Sequence, residues 1–200
     1  FGRWGIEAHL EEAGEVPVGF NRGPWFGRLI GGDEPMTLHF ATPSYTSGTK
    51  GIQRGHVLIE PQSEEEFNRM KHVLKGAWVL VGGINNGWPL DHTAKADSVR
   101  NVQKAENKKI AEENRKIRTE NYQNKTDKPL LPIKEVPGLF YREMVEAGVL
   151  GFIQASEVPI RALYDRNMLR DPNTNFDNLP KVCDIKLDIN QYNTIKRMAK

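Results

Sequence analysis

The chain has 200 residues, of which 38% are hydrophobic and 27% are charged, and its net charge is +2. This length suffices for one domain with its own core, and so small a charge gives no reason to expect nucleic-acid binding. The single cysteine, Cys183, excludes an internal disulfide and a cysteine-rich zinc site. No apolar run approaches the length that spans a membrane. The chain begins at Phe1 and ends inside a predicted helix, so we expect it to be part of a longer protein.

Glycine, proline and aromatic residues are frequent in residues 1–60, where short apolar or alternating runs predict strands joined by turns. The candidate strands are residues 6–10, 36–40 and 56–59. In the second of them, Met36, Leu38 and Phe40 would share one face.

The spacing of the apolar residues changes at residue 63 from a strand-like to a helical pattern. Ser63 precedes three glutamates, which is typical of a helix N-terminus, and apolar residues then follow at helical spacing to residue 74. Residues 77–81 form a continuous apolar run that predicts a strand buried on both faces. We expect Gly82 and Gly83 to end this strand in a loop.

Residues 92–127 are dominated by charged and amide side chains and contain no glycine or proline from 93 to 127. This composition predicts a long, solvated helix or helical hairpin. Its only apolar stripe is thin, and consists of Val99, Val102, Ile110 and Ile117.

The last third returns to alternating elements. A helix over 139–147 is expected to end at Gly148 and to be followed by a buried strand at 149–153. A second strand is expected at 182–187, and Asp188 would cap a final helix. This alternation of strands and helices predicts a mixed α/β (α+β) fold with a partly parallel sheet flanked by helices.

Two segments carry a family pattern. Residues 74–81 read Leu-Lys-Gly-Ala-Trp-Val-Leu-Val, and residues 140–153 combine a helix, the pair Ala147-Gly148 and an apolar strand. Together with the strand at 179–185, they resemble the protease-associated domain. The region before them, especially 42–51, resembles the segment that precedes this domain in exported zinc aminopeptidases of the glutamate-carboxypeptidase-like group.

This resemblance implies a swivelling β/β/α domain over 63–200, with a β-rich lead-in at 1–62 and a charged helical insertion at 92–127. It implies a non-catalytic domain that covers the cleft of a bacterial zinc aminopeptidase or carboxypeptidase and aids substrate selection. The partners would be the catalytic domain of the parent peptidase and a peptide substrate, without nucleic acid or a membrane span. No cofactor is expected in this chain, and zinc would belong to the catalytic domain. The parent would be exported to the periplasm, the cell surface or the medium.

The resemblance also places the loop after the first buried strand near the substrate cleft. Its side chains would supply amide hydrogen bonds and an apolar wall, and arginines after the second buried strand would hold a substrate carboxylate. The candidate residues are Asn85, Asn86, Trp88, Arg161, Tyr164 and Arg166.

Two alternatives come from the residues themselves. The first is a standalone interaction or scaffold domain that uses the charged helix. The second is a fragment of an adenylate-forming enzyme, because residues 45–55 resemble a phosphate-binding loop rich in glycine, serine and threonine. No catalytic residue or metal ligand is assigned here, since the five histidines form no pair at ligand spacing.

Overall fold

The computed structural model describes residues 1–15, 17–21, 23–31, 34–157 and 175–199. Over these ranges the fold is mixed α/β, as predicted, with two sheets and several helices. The strands are β1 (Arg28–Leu29), β2 (Met36–Thr37), β3 (Phe40–Ala41), β4 (Val57–Ile59), β5 (Trp78–Ile84), β6 (Gly151–Ser156) and β7 (Cys183–Asp188). The α-helices are α1 (Glu64–Met70), α2 (Ala94–Asn124), α3 (Tyr141–Glu146) and α4 (Ile189–Met198).

The main sheet has five strands in the order β3-β7-β6-β5-β4. The strands β4 to β7 run parallel to one another, and β3 pairs antiparallel with β7 at one edge. Two of its strands, β3 and β4, come from the predicted lead-in at 1–62, and the other three come from the predicted domain at 63–200. The carboxyl ends of the parallel strands lie together along one side of the sheet, which we call its carboxyl edge. Open parallel sheets bind ligands at this edge.

Each face of the main sheet covers its own core. On one face, Val79, Val81 and Phe152 pack with α1, α3 and Leu139. On the other, Leu80 and Ile153 pack against α4. The strands β5 and β6 are thus buried on both faces, as their continuous apolar sequences predict.

The prediction of strands near the N-terminus was correct in part. Residues 6–10 form no strand, because every side chain there is exposed and no described strand pairs with them. Residues 36–40 divide into β2, which pairs with β1, and β3, which pairs with β7. The expected alternation of burial along 36–40 is nevertheless present.

The prediction that Gly82 and Gly83 end the buried strand was wrong. The strand β5 continues through both glycines to Ile84, with a shift in its register against β6 after Val81. The N–H of Gly82 donates to the buried side chain of Glu60 at 2.6 Å, and its carbonyl accepts from Gln154 at 2.8 Å. These bonds hold the irregular segment in place.

The charged segment is one helix of 31 residues, α2, with Thr93 as its N-cap. Its thin apolar stripe is only partly buried. Val99 and Val102 are 60% and 62% exposed, whereas Ile110 and Ile117 are half-buried. The buried side chains of the helix are polar instead, and they are Arg100, Gln103, Asn107 and Asn114.

Three asparagines on α2 bind the segment that returns along the helix, residues 128–136. Asn121, Asn114 and Asn107 are seven residues apart, and they bind main-chain groups of Lys128, Leu131 and Lys134. Seven helical residues rise about 10.5 Å, and three extended residues span about 9–10 Å. Because these lengths match, one asparagine meets the returning segment every two turns of the helix. We call residues 128–136 the strap, and Asn107, Asn114 and Asn121 the asparagine ladder.

The last third of the chain contains the elements that its sequence predicts. Gly148 adopts a left-handed conformation (φ 88°) directly after the helix, which lets the chain turn into β6. Asp188 caps α4 by accepting N–H bonds from Asn190 and Gln191. The predicted strands and helices of this region are present with ends shifted by one to three residues.

Candidate functional site at the carboxyl edge of the sheet

The loop after β5 lies at the carboxyl edge of the sheet and contains three of the predicted site residues, Asn85, Asn86 and Trp88. The structure brings these residues next to the end of β6, at Ser156 and Glu157. The other three predicted residues, Arg161, Tyr164 and Arg166, lie outside the described residues.

The two asparagines fasten this loop. The main-chain N–H of Asn85 donates to Ala155 at 2.8 Å, and its side-chain oxygen accepts the N–H of Trp88 at 2.9 Å. The Oδ1 of Asn86 accepts from the Ser156 hydroxyl and from the N–H of Glu157, both at 3.0 Å. The Asn85 oxygen therefore closes the loop on itself, and the Asn86 oxygen holds the loop against the end of β6. These structural contacts differ from the predicted contacts with substrate.

Trp88 is the large apolar side chain of this loop and is 52% exposed. Its backbone is held by Asn85. An aromatic side chain on a fixed backbone provides a rigid apolar surface, and little entropy is lost when a ligand packs on it. This part of the sequence prediction, an apolar wall, is consistent with the geometry.

A buried chain of polar groups lies behind the loop. Lys186 is 0% exposed, and its Nζ donates to Asp184 at 2.7 Å and to Gln154 at 3.1 Å. Gln154 in turn donates to the carbonyl of Gly82, and the other carboxylate oxygen of Asp184 accepts the N–H of Leu90 at 2.6 Å. The chain of bonds thus joins Gly82, within β5, to Leu90, and these two residues lie on either side of the loop.

The electrostatics of this chain follow from its burial. Burial lowers the pKa of Lys186, and the adjacent Asp184 carboxylate opposes that shift. Burial also raises the pKa of the Cys183 thiol, with a smaller contribution from Asp184. Since every charged group is bonded within the protein, the cluster is built to hold the loop, and its lysine is not exposed as a nucleophile.

Sequence reasoning missed this cluster, although a signal was present. Asp184, Lys186 and Asp188 alternate with apolar residues along the strand that was predicted at 182–187 and at its end. Charged residues at every second position of an interior strand must either face solvent or pair with each other. Here Asp184 and Lys186 pair with each other.

Glu60 is a second buried carboxyl group, 6% exposed, at the end of β4. It accepts the N–H of Gly82 at 2.6 Å and that of Gly138 at 2.7 Å. Burial raises its pKa to about 7, against the effect of these two bonds and of Arg100. Glu60 joins β5 to the end of the strap.

A groove of about 450 Å³ opens beside Glu60, between the end of β4 and α1. It is mainly apolar, with one exposed cation at its rim, Arg69. Its lining residues are Ile59, Glu60, Pro61, Glu66, Arg69, Met70 and Val73.

The loop at 45–55 has internal partners for two of its hydroxyl groups. Thr46 donates to the carbonyl of Pro43 at 2.8 Å, and Ser47 donates to that of Pro180 at 2.6 Å. These bonds fasten the loop to the body of the protein, and they use hydroxyls that a phosphate site would direct at its ligand.

Potential metal ligands do not cluster in the part of the chain that the structure describes: no three His, Cys, Asp or Glu side chains are placed to hold an ion there. Two of the histidines bond main-chain carbonyls, His56 that of Val73 and His92 that of Asn178. Across the described ranges, no helix combines the length and apolarity needed to cross a membrane.

Comparisons with known protein families, with curated proteins and with solved structures found no match to this chain.

Proposed function

We propose that this chain is a non-catalytic protease-associated domain that borders the cleft of a zinc-dependent aminopeptidase or carboxypeptidase and helps to position its peptide substrate. Two sequence segments, 74–81 and 140–153, suggest the family. The structural observation that supports the role is the loop at 85–88, which carries an exposed tryptophan and is bonded to the end of β6 through Asn85 and Asn86.

In this role, Trp88 would pack against an apolar side chain of the peptide and keep water from that part of the cleft. The amide nitrogen of Asn85 has no partner within the described residues, and it would donate to a peptide carbonyl. Zinc would be held by the catalytic domain and would activate the attacking water there. No residue of this chain is assigned to the chemical step.

The first experiment is to determine the reading frame on both sides of the chain. A signal peptide upstream and a series of Asp, Glu and His ligands downstream would support the proposal. Stop codons at both ends would reject the peptidase parent and leave a free-standing domain.

The second experiment measures peptide hydrolysis by the complete protein carrying Trp88→Ala. We expect KM to rise about tenfold while kcat changes little, since the lost contact binds the ground state and the transition state alike. Trp88→Phe should retain most of the affinity. Tyr122→Ala is the matched control, because Tyr122 is an exposed aromatic residue near the far end of α2. An unchanged KM for Trp88→Ala would exclude this loop from substrate binding.

The second candidate function is an interaction or scaffold domain that binds its partner with α2. It is favoured by one observation: the helix docks through its asparagines and leaves Val99 and Val102 exposed. Replacing both valines with glutamate tests it without disturbing the ladder. Loss of partner capture with peptidase activity intact would favour the scaffold.

The third candidate is a fragment of an adenylate-forming enzyme that binds ATP with residues 45–55. Calorimetry with ATP tests it, and a lack of binding heat would dispose of it. The internal bonds of Thr46 and Ser47 weigh against this function.

A further inference from the structure

The main sheet has two outermost strands, β3 and β4, and their free sides differ. At β3, the indole N–H of Trp25 donates to the outward carbonyl of Phe40 at 3.0 Å, so this edge is partly covered. At the other edge, β4 pairs with β5 and with no further strand among the described residues. Edge strands expose main-chain donors and acceptors, and proteins usually cover or interrupt them.

The register of β4 shows which of its groups point outward. The carbonyl of His56 accepts from Trp78, and the N–H of Glu60 donates to Leu80, so residues 56, 58 and 60 bond β5. Val57 and Ile59 therefore direct their N–H and C=O groups away from the sheet. In the ranges described, nothing bonds these four main-chain groups.

The surroundings of this edge are apolar, with the carboxyl groups of Glu60 and Glu66 in the groove and three exposed cations around it. The groove described above begins at Ile59 and contains Met70 and Val73. Arg54 precedes β4, and Arg69 and Lys71 follow along α1 and the turn after it; all three are exposed. The bond between His56 and the carbonyl of Val73 brings that turn to the start of β4. Arg69 forms no ion pair with any carboxylate in the described ranges.

From this edge and its charges, we propose that β4 is a binding site for an extended peptide that carries alternating apolar and acidic side chains. The peptide would add a sixth strand through Val57 and Ile59. One apolar side chain would enter the groove beside Met70, and acidic side chains would face Arg54 and Arg69. Pro61 limits the site to a short segment.

The three cations beside β4 favour an acidic peptide over a second copy of this chain. A second copy of this chain would bring its own arginines and lysine against those of the first, and like charges across an interface are unfavourable. The same cations attract an acidic peptide, and the two carboxyl groups of the groove, Glu60 and Glu66, already accept main-chain N–H bonds within the protein. The site is distinct from the loop at 85–88 and stands whether or not the parent is a peptidase.

The test uses the whole chain and a pentapeptide of alternating glutamate and valine, blocked at both ends. Amide hydrogen exchange is measured by NMR with the probe at up to about 1 mM, a range that detects weak binding. We expect the exchange of Val57 and Ile59 to slow at least fivefold. Leu58, whose N–H already bonds β5, is the internal control. The same pentapeptide with lysine in place of glutamate should bind at least tenfold more weakly.

Two pairs of variants locate the site. Val57→Pro removes an outward N–H and leaves the bonds to β5 intact, whereas Val57→Thr keeps that donor. We expect the first to weaken probe binding about tenfold and the second to change it little. Arg69→Glu should weaken binding by a similar factor and Arg69→Lys should not, which keeps the test decisive if the proline variant fails to fold.

Three results would overturn the proposal. The first is unchanged exchange of Val57 and Ile59 at saturating probe. The second is equal binding of the glutamate and lysine probes. The third is a dimer in sedimentation that Val57→Pro abolishes, since a second copy would then occupy the edge.

Discussion

The side chain of Asn114 binds both main-chain groups of Leu131: its nitrogen donates to the carbonyl at 2.8 Å, and its oxygen accepts the N–H at 2.7 Å. An asparagine amide thus takes the place of a neighbouring strand. Asn121 makes the same pair of bonds to Lys128, and Gln62 makes it to Val136. The strap is therefore held by amide side chains along its length, and its packing does not depend on an apolar face of α2.

Asn114→Ala should lower the free energy of unfolding by about 1–3 kcal/mol, because it leaves both main-chain groups of Leu131 without their partner. The Leu131 amide should also exchange faster with solvent. Asn101→Ala is the control, since Asn101 is exposed on the same helix. Urea unfolding and hydrogen exchange measure the two effects. Equal stability of the two variants would show that the ladder contributes little.

The stability of the protein should depend on pH through Glu60. Its pKa is raised by burial from 4.5 to about 7, so the folded state binds a proton more tightly than the unfolded state does. The stability that this proton confers is complete below pH 4.5 and is lost as the pH rises through about 7. The change amounts to about 3 kcal/mol at most.

The variant Glu60→Gln isolates this effect. Its free energy of unfolding should change less between about pH 5 and about pH 8 than that of the wild type. Glu65→Gln, on the exposed surface of α1, should leave the pH dependence unchanged. If Glu60→Gln keeps the full pH dependence, the titrating group lies elsewhere.

Lys186 and Asp184 should be energetically coupled. Lys186→Met leaves a buried carboxylate without its cation and should cost about 3–5 kcal/mol. The double variant with Asp184→Asn should be more stable than the single one, because asparagine is neutral and still accepts the N–H of Leu90. Thermal or urea unfolding of the four proteins gives the coupling energy. Additive effects would contradict the pairing.

Gly151 should tolerate no side chain. A Cβ atom there would lie 2.6 Å from the carbonyl oxygen of Cys183 and 2.7 Å from the ring of Trp78. Gly151→Ala should therefore destabilise the protein by about 1–3 kcal/mol, since a strand backbone cannot move aside. At Gly48 no atom lies within 4 Å of such a Cβ, and Gly48→Ala serves as the control. Comparable urea midpoints for the two variants would contradict this packing.

The sequence predicted the parts of the fold in which local pattern and burial agree. Ser63 caps α1, Gly148 ends the helix before β6, and Asp188 caps α4, each for the reason that its side chain or conformation suggests. The continuous apolar runs of β5 and β6 were likewise correctly assigned to the sheet interior.

Sequence pattern did not predict contacts made by polar side chains over long separations. The apolar stripe of α2 was correctly described as thin, but its pattern gave no sign that three asparagines seven residues apart bind the strap. The bond from Lys186 to Gln154 was likewise not predicted, because it depends on the register of β6 and β7. The bonds by which Asn85 and Asn86 fasten their loop to the end of β6 were not predicted either.

The most direct test of the proposed function is a parallel assay of peptide hydrolysis by the isolated chain and by the complete protein that its reading frame encodes, both with added zinc. We predict hydrolysis by the complete protein alone. Stoichiometric zinc binding and peptide cleavage by the isolated chain would contradict the non-catalytic role, and the absence of hydrolysis by the complete protein would contradict the peptidase parent.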